Sequence, residues 1–373
     1  MQMFDPRMRL SVFLLPAGLV ALSSLATADT IFLSDGKTIA DVTVQTEGLL
    51  EVSYKDGNAT KTLPSDKVLS IDFERMPRAL DQAEANVADQ FLQDALIDFE
   101  DYVDEVLGSD KPLTRFKWST AFAMNRILEL RASIGDYKGT VAAADKLIDK
   151  ASDSRYVPVA YLKKAEAVHL QGKSDDAVKV LDALGGLIGD KGLSDRWQLE
   201  HDLAKLLYDT TVQPGQLQRG LEEIINRAGA DNPIVRNRAR VAIGEAHVGR
   251  NKLNDAEKIF SEVTADPKAD SRTLAAAYTG LGDCLFQKGV SQNQSASGTG
   301  EEALKQAILN YMRVAVVYKS ELQYAPKALF YAGRCFQQFQ DSGSQDRAQR
   351  LYTEVVRYHG GTSWATEAAG FRN

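Results

Sequence analysis

Ala325-Pro326-Lys327-Ala328-Leu329-Phe330-Tyr331-Ala332-Gly333-Arg334, followed by Ala348-Gln349-Arg350-Leu351-Tyr352-Thr353-Glu354-Val355-Val356, is the stretch that decides the fold. Leu329, Phe336, Tyr352 and Val355 recur at helical spacing, and the small Ala332, Gly333 and Ala348 stand where two helices have to come close. The stretch reads as a helical pair. One pair cannot bury its own apolar face, so it needs stacked neighbours.

The neighbours are there when the chain is followed backwards. A sixth pair is marked by Tyr278, Leu281-Gly282 and Leu285, then Ala307 and Tyr311; a fifth by Ile243-Gly244, His247, Ala256, Phe260 and Val263, closed by Asp266-Pro267. The fourth, around Trp197, Ala204, Tyr208, Leu221 and Ile224, has its turn lengthened by Gln213-Pro214-Gly215. In the third, Tyr161, Ala165 and Val168 lead through Gly172-Lys173-Ser174 to Ala177, Leu181 and Leu184. Met124, Ile127 and Leu128, the turn Gly135-Asp136-Tyr137, then Ala144 and Leu147 make the second, and Ala83, Ala95 and Phe99 a degenerate first. Trp364 to Ala369 begins a final helix that covers the open end. Within the sixth pair, Val290 to Gly300 is small and polar, and is expected to be a flexible, dispensable insert.

This succession, from about residue 76 to 373, resembles the tetratricopeptide-repeat (TPR) proteins, particularly exported bacterial ones such as outer-membrane assembly and cell-division coordination factors. The resemblance implies a right-handed superhelix, an α-solenoid of about seven helix pairs, whose inner groove docks peptides or partner domains. Matching the units residue by residue places Asn125, Glu129, Glu166, His169, Arg238, Glu245, Asp283, Arg334 and Gln337 at groove-facing positions. The set mixes signs and lacks the Lys/Asn/Arg constellation with which some relatives clamp a C-terminal carboxylate. The lipid-attachment cysteine common among the assembly factors is also missing.

Two segments precede the array. In residues 1–28, Arg7 and Arg9 lead an apolar run from Leu10 to Leu25 that ends Ala26-Thr27-Ala28, so a secretory signal cleaved after Ala28 is expected, with a retained membrane anchor as the alternative. Residues 29–75 hold five short β-prone runs separated by Asp35-Gly36 and Asp56-Gly57, which suit hairpin turns. Strands this short are expected to close into a small barrel of the SH3 or Sm type. Its first hairpin, Ile31 to Ile39, resembles that of Sm barrels.

A net charge of -7 argues against a nucleic-acid partner. The acids from Asp94 to Glu105 read as a solvated face or an acidic docking site. The four histidines lie far apart, no phosphate-cradling loop or nucleophile elbow is present, and no cysteine has an evident base, so no catalytic, cofactor or metal site is expected. Cys284 and Cys335 fall at one position of adjacent units, and helices about 8–10 Å apart are too distant for a disulfide, so two buried free thiols are expected. The sequence thus describes a non-enzymatic, periplasmic or secreted scaffold for a protein or peptide partner, with no stable membrane insertion. Two alternatives remain open: a positioning subunit of an envelope enzyme or secretion complex, and a wall-associated protein bound through the β module.

Overall fold

The computed structural model describes residues 28–372 apart from 112 and 114, so the expected secretory signal, but for Ala28, lies outside the described residues. Strands β1 (Asp29–Leu33), β2 (Thr38–Glu47), β3 (Glu51–Asp56), β4 (Ala59–Pro64) and β5 (Val68–Asp72) form one antiparallel sheet in the order β4-β3-β2-β1-β5. Gly36 and Gly57 take positive φ in the β1–β2 and β3–β4 turns, a conformation glycine adopts without a Cβ penalty. The expected closed barrel does not form. Strands β4 and β5 are the two edges and do not pair with each other.

The reason lies in what covers the sheet. Helices α1 (Arg78–Ala88), α2 (Leu92–Leu107) and α3 (Ser119–Ser133) follow it. The sheet's apolar residues, among them Ile31, Val42, Val44, Val52 and Phe73, share a core with Trp118 at the start of α3. Trp118 stacks on Phe73 with ring centroids 3.5 Å apart, and Phe122 meets both edge-on. A helix therefore buries the face that barrel closure would have buried.

The rest is helical: α4 (Tyr137–Lys150), α5 (Val157–Leu170), α6 (Ser174–Lys191), α7 (Asp195–Tyr208), α8 (Pro214–Ala228), α9 (Pro233–Gly249) and α10 (Leu253–Thr264). Then come α11 (Ser271–Ser295), α12 (Glu301–Val317), α13 (Ala325–Phe336), α14 (Ser342–Tyr358) and α15 (Ser363–Ala369). The first fourteen fall into seven consecutive pairs, as the sequence predicts. From α3 onward each odd-numbered helix also packs on the next odd-numbered one, whereas the even-numbered helices pack mainly on their chain neighbours. The odd helices are thus the inner, concave layer.

Small residues set how closely these layers approach. Gly244 and Gly280 face Phe260 from opposite neighbours, Gly282 faces Tyr311, and Gly333 faces Tyr352; a Cβ at any of the four would come within 3.0 Å of the ring. Cys284 and Cys335 are free and fully buried in this layer. Burial pushes the Cys284 thiol up to about 12 and raises Cys335 further still, which leaves both unreactive in the folded protein.

The expected flexible insert is tied down at its two ends, Val290 and Gly300, while most of the residues between them are exposed. Helix α11 runs on through Ser295, and Val290 packs against the C-terminal core. Asn293 Oδ1 accepts the Gly300 N–H at 2.8 Å, Thr299 Oγ1 donates to Gln292 and Ala296 carbonyls, and the Gly289 and Gly300 backbones touch too closely for a side chain. Losing this hydrogen bonding and the Val290 burial amounts to about 2 kcal/mol. Replacing 290–300 with a short Gly-Ser turn is therefore expected to lower the thermal midpoint by about 3 °C. An unchanged midpoint in a melting curve would contradict that packing.

The sheet is fastened to the array by a buried knot. The side chain of Glu47 is 1% exposed and receives hydrogen bonds from Arg155 Nε and, at 2.9 Å, from Tyr156 Oη. Leu49 N–H donates to the Asp153 carbonyl and Arg155 N–H to the Glu47 carbonyl, so the end of β2 is bonded to the α4–α5 turn. No described helix is long and apolar enough to cross a membrane.

Candidate functional site

The array curls far enough for distant parts to meet. Gly361, before α15, packs on Ile134 at the end of α3. Leu322, in the connector 318–324 between α12 and α13, is buried in the same core as Leu128, Tyr156 and Ala160. The connector enters the concave space. Arg272 donates to Gln323 Oε1 at 2.7 Å, Gln323 Nε2 donates to Glu166 at 3.5 Å, and Ser271 Oγ donates to Glu321.

What remains is a two-lobed chamber of about 410 and 610 Å³. Both lobes are lined by Lys163 and Glu166 of α5, Arg196 of α7, Arg238 of α9, Arg272 of α11 and Gln323 of the connector. Glu166 lies 3.1 Å from Lys163 and 3.5 Å from Arg272. Burial works against the charge of Glu166, but Lys163 and Arg272 outweigh it and hold the carboxyl down at about 2. Burial, reinforced by Arg272, lowers the Lys163 pKa. Arg238 binds Glu200 at 2.6 Å and Asp270 at 3.2 Å.

Arg196 differs from these. Its Nη1 donates to the Asp66 carbonyl beside the sheet, and its guanidinium lies 4.9 Å from the Trp197 ring centroid. Its Nε is buried without an acceptor, and none of the ion pairs among the described residues includes it. Burial and the nearby Arg238 charge lower its pKa.

The nine groove-facing residues expected from the sequence divide in two. Glu129, Glu166, Arg238 and Glu245 line the chamber. Glu245 makes no hydrogen bond among the described residues, and burial raises its carboxyl pKa against the pull of Lys327. The other five hold the fold together. Asn125 is buried and donates to Glu129, while His169 stacks on Tyr208 and bonds Ser174 Oγ. Asp283 accepts from Tyr311 Oη and Lys327 Nζ, each at 2.7 Å. Arg334 lies over Phe371, and Gln337 caps α13, its carbonyl facing Gln345.

The sequence reading missed Lys163, Arg196, Arg272 and the connector. One signal was available. Arg196 and Arg272 each occupy the second position of their helix, where the macrodipole opposes a cation. Local rules are commonly broken where a site requires it. Among the described residues no group of three or more His, Cys, Asp or Glu is placed to hold a metal.

The fold and site define a helical-repeat protein with an N-terminal β sheet and a charged central chamber. No protein-family model and no curated protein matches the chain. Among solved structures it is similar to the C-terminal part of a TPR repeat-containing protein from Cytophaga hutchinsonii, at 12% sequence identity and a TM-score of 0.33. That match covers 78% of this chain and 98% of the other.

Proposed function

We propose that this protein is a non-enzymatic docking scaffold of the cell envelope, exported by its N-terminal segment, which holds a protein partner against the inner face of its helical array. One observation carries the reading: the odd-numbered helices lie side by side as an inner layer, and where the connector 318–324 leaves that layer uncovered Glu245 has no hydrogen-bond partner among the described residues. Concave solenoid faces are extended binding surfaces. Arg238 is a poor probe of such binding, because reversing its charge would strand Glu200 and Asp270 and unfold the array. Glu245→Lys disturbs no internal hydrogen bond and is the better choice.

A second reading, attachment through the β module, is favoured by a cleft of about 510 Å³ between the sheet and the start of α3. Arg75, Arg115 and Lys117 line it, and the ion pairs among the described residues include none of them. Partner capture by the immobilised full chain from envelope extract separates the two. Under the scaffold reading, Glu245→Lys weakens capture about tenfold, the loss of one charged contact. The double variant Arg75→Glu/Lys117→Glu leaves it unchanged; the opposite result assigns docking to the β module. A native mass that begins at Asp29 is the accompanying check on export.

A further inference from the structure

The chamber is lined by as many carboxylates as cations, yet one cation and part of its apolar surface are left without a partner in the fold. Buried charges are ordinarily paired. Here Lys163, Arg238 and Arg272 share Glu166, Glu200 and Asp270, and Arg196 is left with a backbone carbonyl and an aromatic face. Arg196 and Arg272 also stand in the first turns of α7 and α11, whose N-terminal dipoles add positive potential at the same place. Against the cations, Leu69, Leu170 and Leu207 are 43%, 52% and 39% exposed, and all three face the chamber.

We propose that the chamber binds a compact organic anion, with its carboxylate or phosphate head on Arg196 and Arg272 and its apolar body in the larger lobe against Leu69 and Leu170. The size fits. Lobes of about 410 and 610 Å³ fall in the range of small-molecule sites, roughly 300–1,000 Å³, and Leu69 of the sheet and the connector residues Leu322 to Tyr324 form part of the walls. Glu245 and Glu129 also line the space, and they favour a single anionic head directed at the arginines over a polyanion. The inference does not need the scaffold reading: Arg196, Arg272 and Leu170 carry it, whereas the partner is tested at Glu245, so each reading can fail without the other.

The test titrates the full chain with octanoate, octyl phosphate, octanamide and inorganic phosphate, followed by isothermal titration calorimetry. Saturable binding of octanoate or octyl phosphate is expected, at least about tenfold tighter than octanamide, because a charged hydrogen bond is worth about 1.5–3 kcal/mol. Which of the two binds tighter distinguishes a carboxylate from a phosphate ligand. Arg196→Gln should weaken the anion about tenfold or more, with Arg196→Lys in between. Leu170→Asn, on an exposed wall position, should weaken it while leaving the circular dichroism unchanged, so the test does not depend on Arg196→Gln folding. Equal binding of octanamide, inorganic phosphate as tight as octyl phosphate, no saturable binding at all, or unchanged affinity in Leu170→Asn would each overturn the proposal.

Discussion

Replacing Glu47 with alanine is expected to cost about 3–5 kcal/mol and to release the β sheet from the array, because it leaves the charge of Arg155 buried without its partner. The Glu47 side chain is 1% and the Arg155 side chain 10% exposed, so water cannot take over the lost interaction without opening the interface. The remaining partners of Arg155 are weak by comparison: the Val68 carbonyl at 3.3 Å, Tyr156 Oη at 3.1 Å and the Tyr156 ring face. Tyr156 also loses its acceptor, since its hydroxyl donates to both Glu47 oxygens. Glu47→Gln keeps an acceptor for that hydroxyl and should fall between the two. In a background where Trp197 and Trp364 are replaced by phenylalanine, Trp118 reports on the sheet and helical circular dichroism on the array, so guanidinium denaturation followed both ways locates the damage. A Glu47→Ala protein within 1 kcal/mol of the native one, with both signals still coincident, would mean the knot does not hold the sheet.

The helix pairs could be read from the sequence because each is a local pattern. Ala177, Leu181 and Leu184, or Ala256, Phe260 and Val263, declare a buried helix face from their spacing alone, and all six are buried. The strands were legible for the same reason, through Asp35-Gly36 and Asp56-Gly57 at their turns. Closure of the sheet was not, because alternation along a strand does not say whether its free face meets another strand or Trp118 and Phe122 of a helix. The ties of the insert were hidden for a compositional reason: Ser, Gln and Asn look like a solvated loop, yet Val290 touches the core and Asn293 Oδ1 accepts the Gly300 N–H.

The chamber was the least legible part. Lys319-Ser320-Glu321-Leu322-Gln323 has no period and no motif, and Leu322 is buried only because the array curls far enough to bring it against the N-terminal pairs. Repeat register places Glu166 and Arg238 on the inner face, and both line the chamber. Their partners Lys163, Glu200, Asp270 and Arg272 lie on the same helix, on a neighbouring one, at a cap or across the chamber, and which charges neutralise each other depends on packing that register does not encode.

Phe260→Ala is the second substitution expected to do severe damage, at about 3–5 kcal/mol. Its ring is fully buried on α10 and fills the space left by Gly244 of α9 and Gly280 of α11, so it joins the fifth pair to the sixth. In a solenoid such a contact is one of the nearest-neighbour terms that hold successive repeats in one cooperative unit. The glycines test the same contact from the other side. Alanine at 280 gains about 0.5–1 kcal/mol of helix propensity, but its Cβ would come within 3.0 Å of three ring atoms. The ring cannot retreat, because the Gly244 side leaves it no more room. Overpacking of this kind costs about 1–3 kcal/mol and should outweigh the propensity gain, so Gly280→Ala is expected to be net destabilising. Combined with Phe260→Leu, which shortens the knob, the alanine should be tolerated, and the double variant should unfold at a higher denaturant concentration than the sum of the single changes implies. Strict additivity in that cycle would show that Phe260 and Gly280 do not share the space the packing gives them.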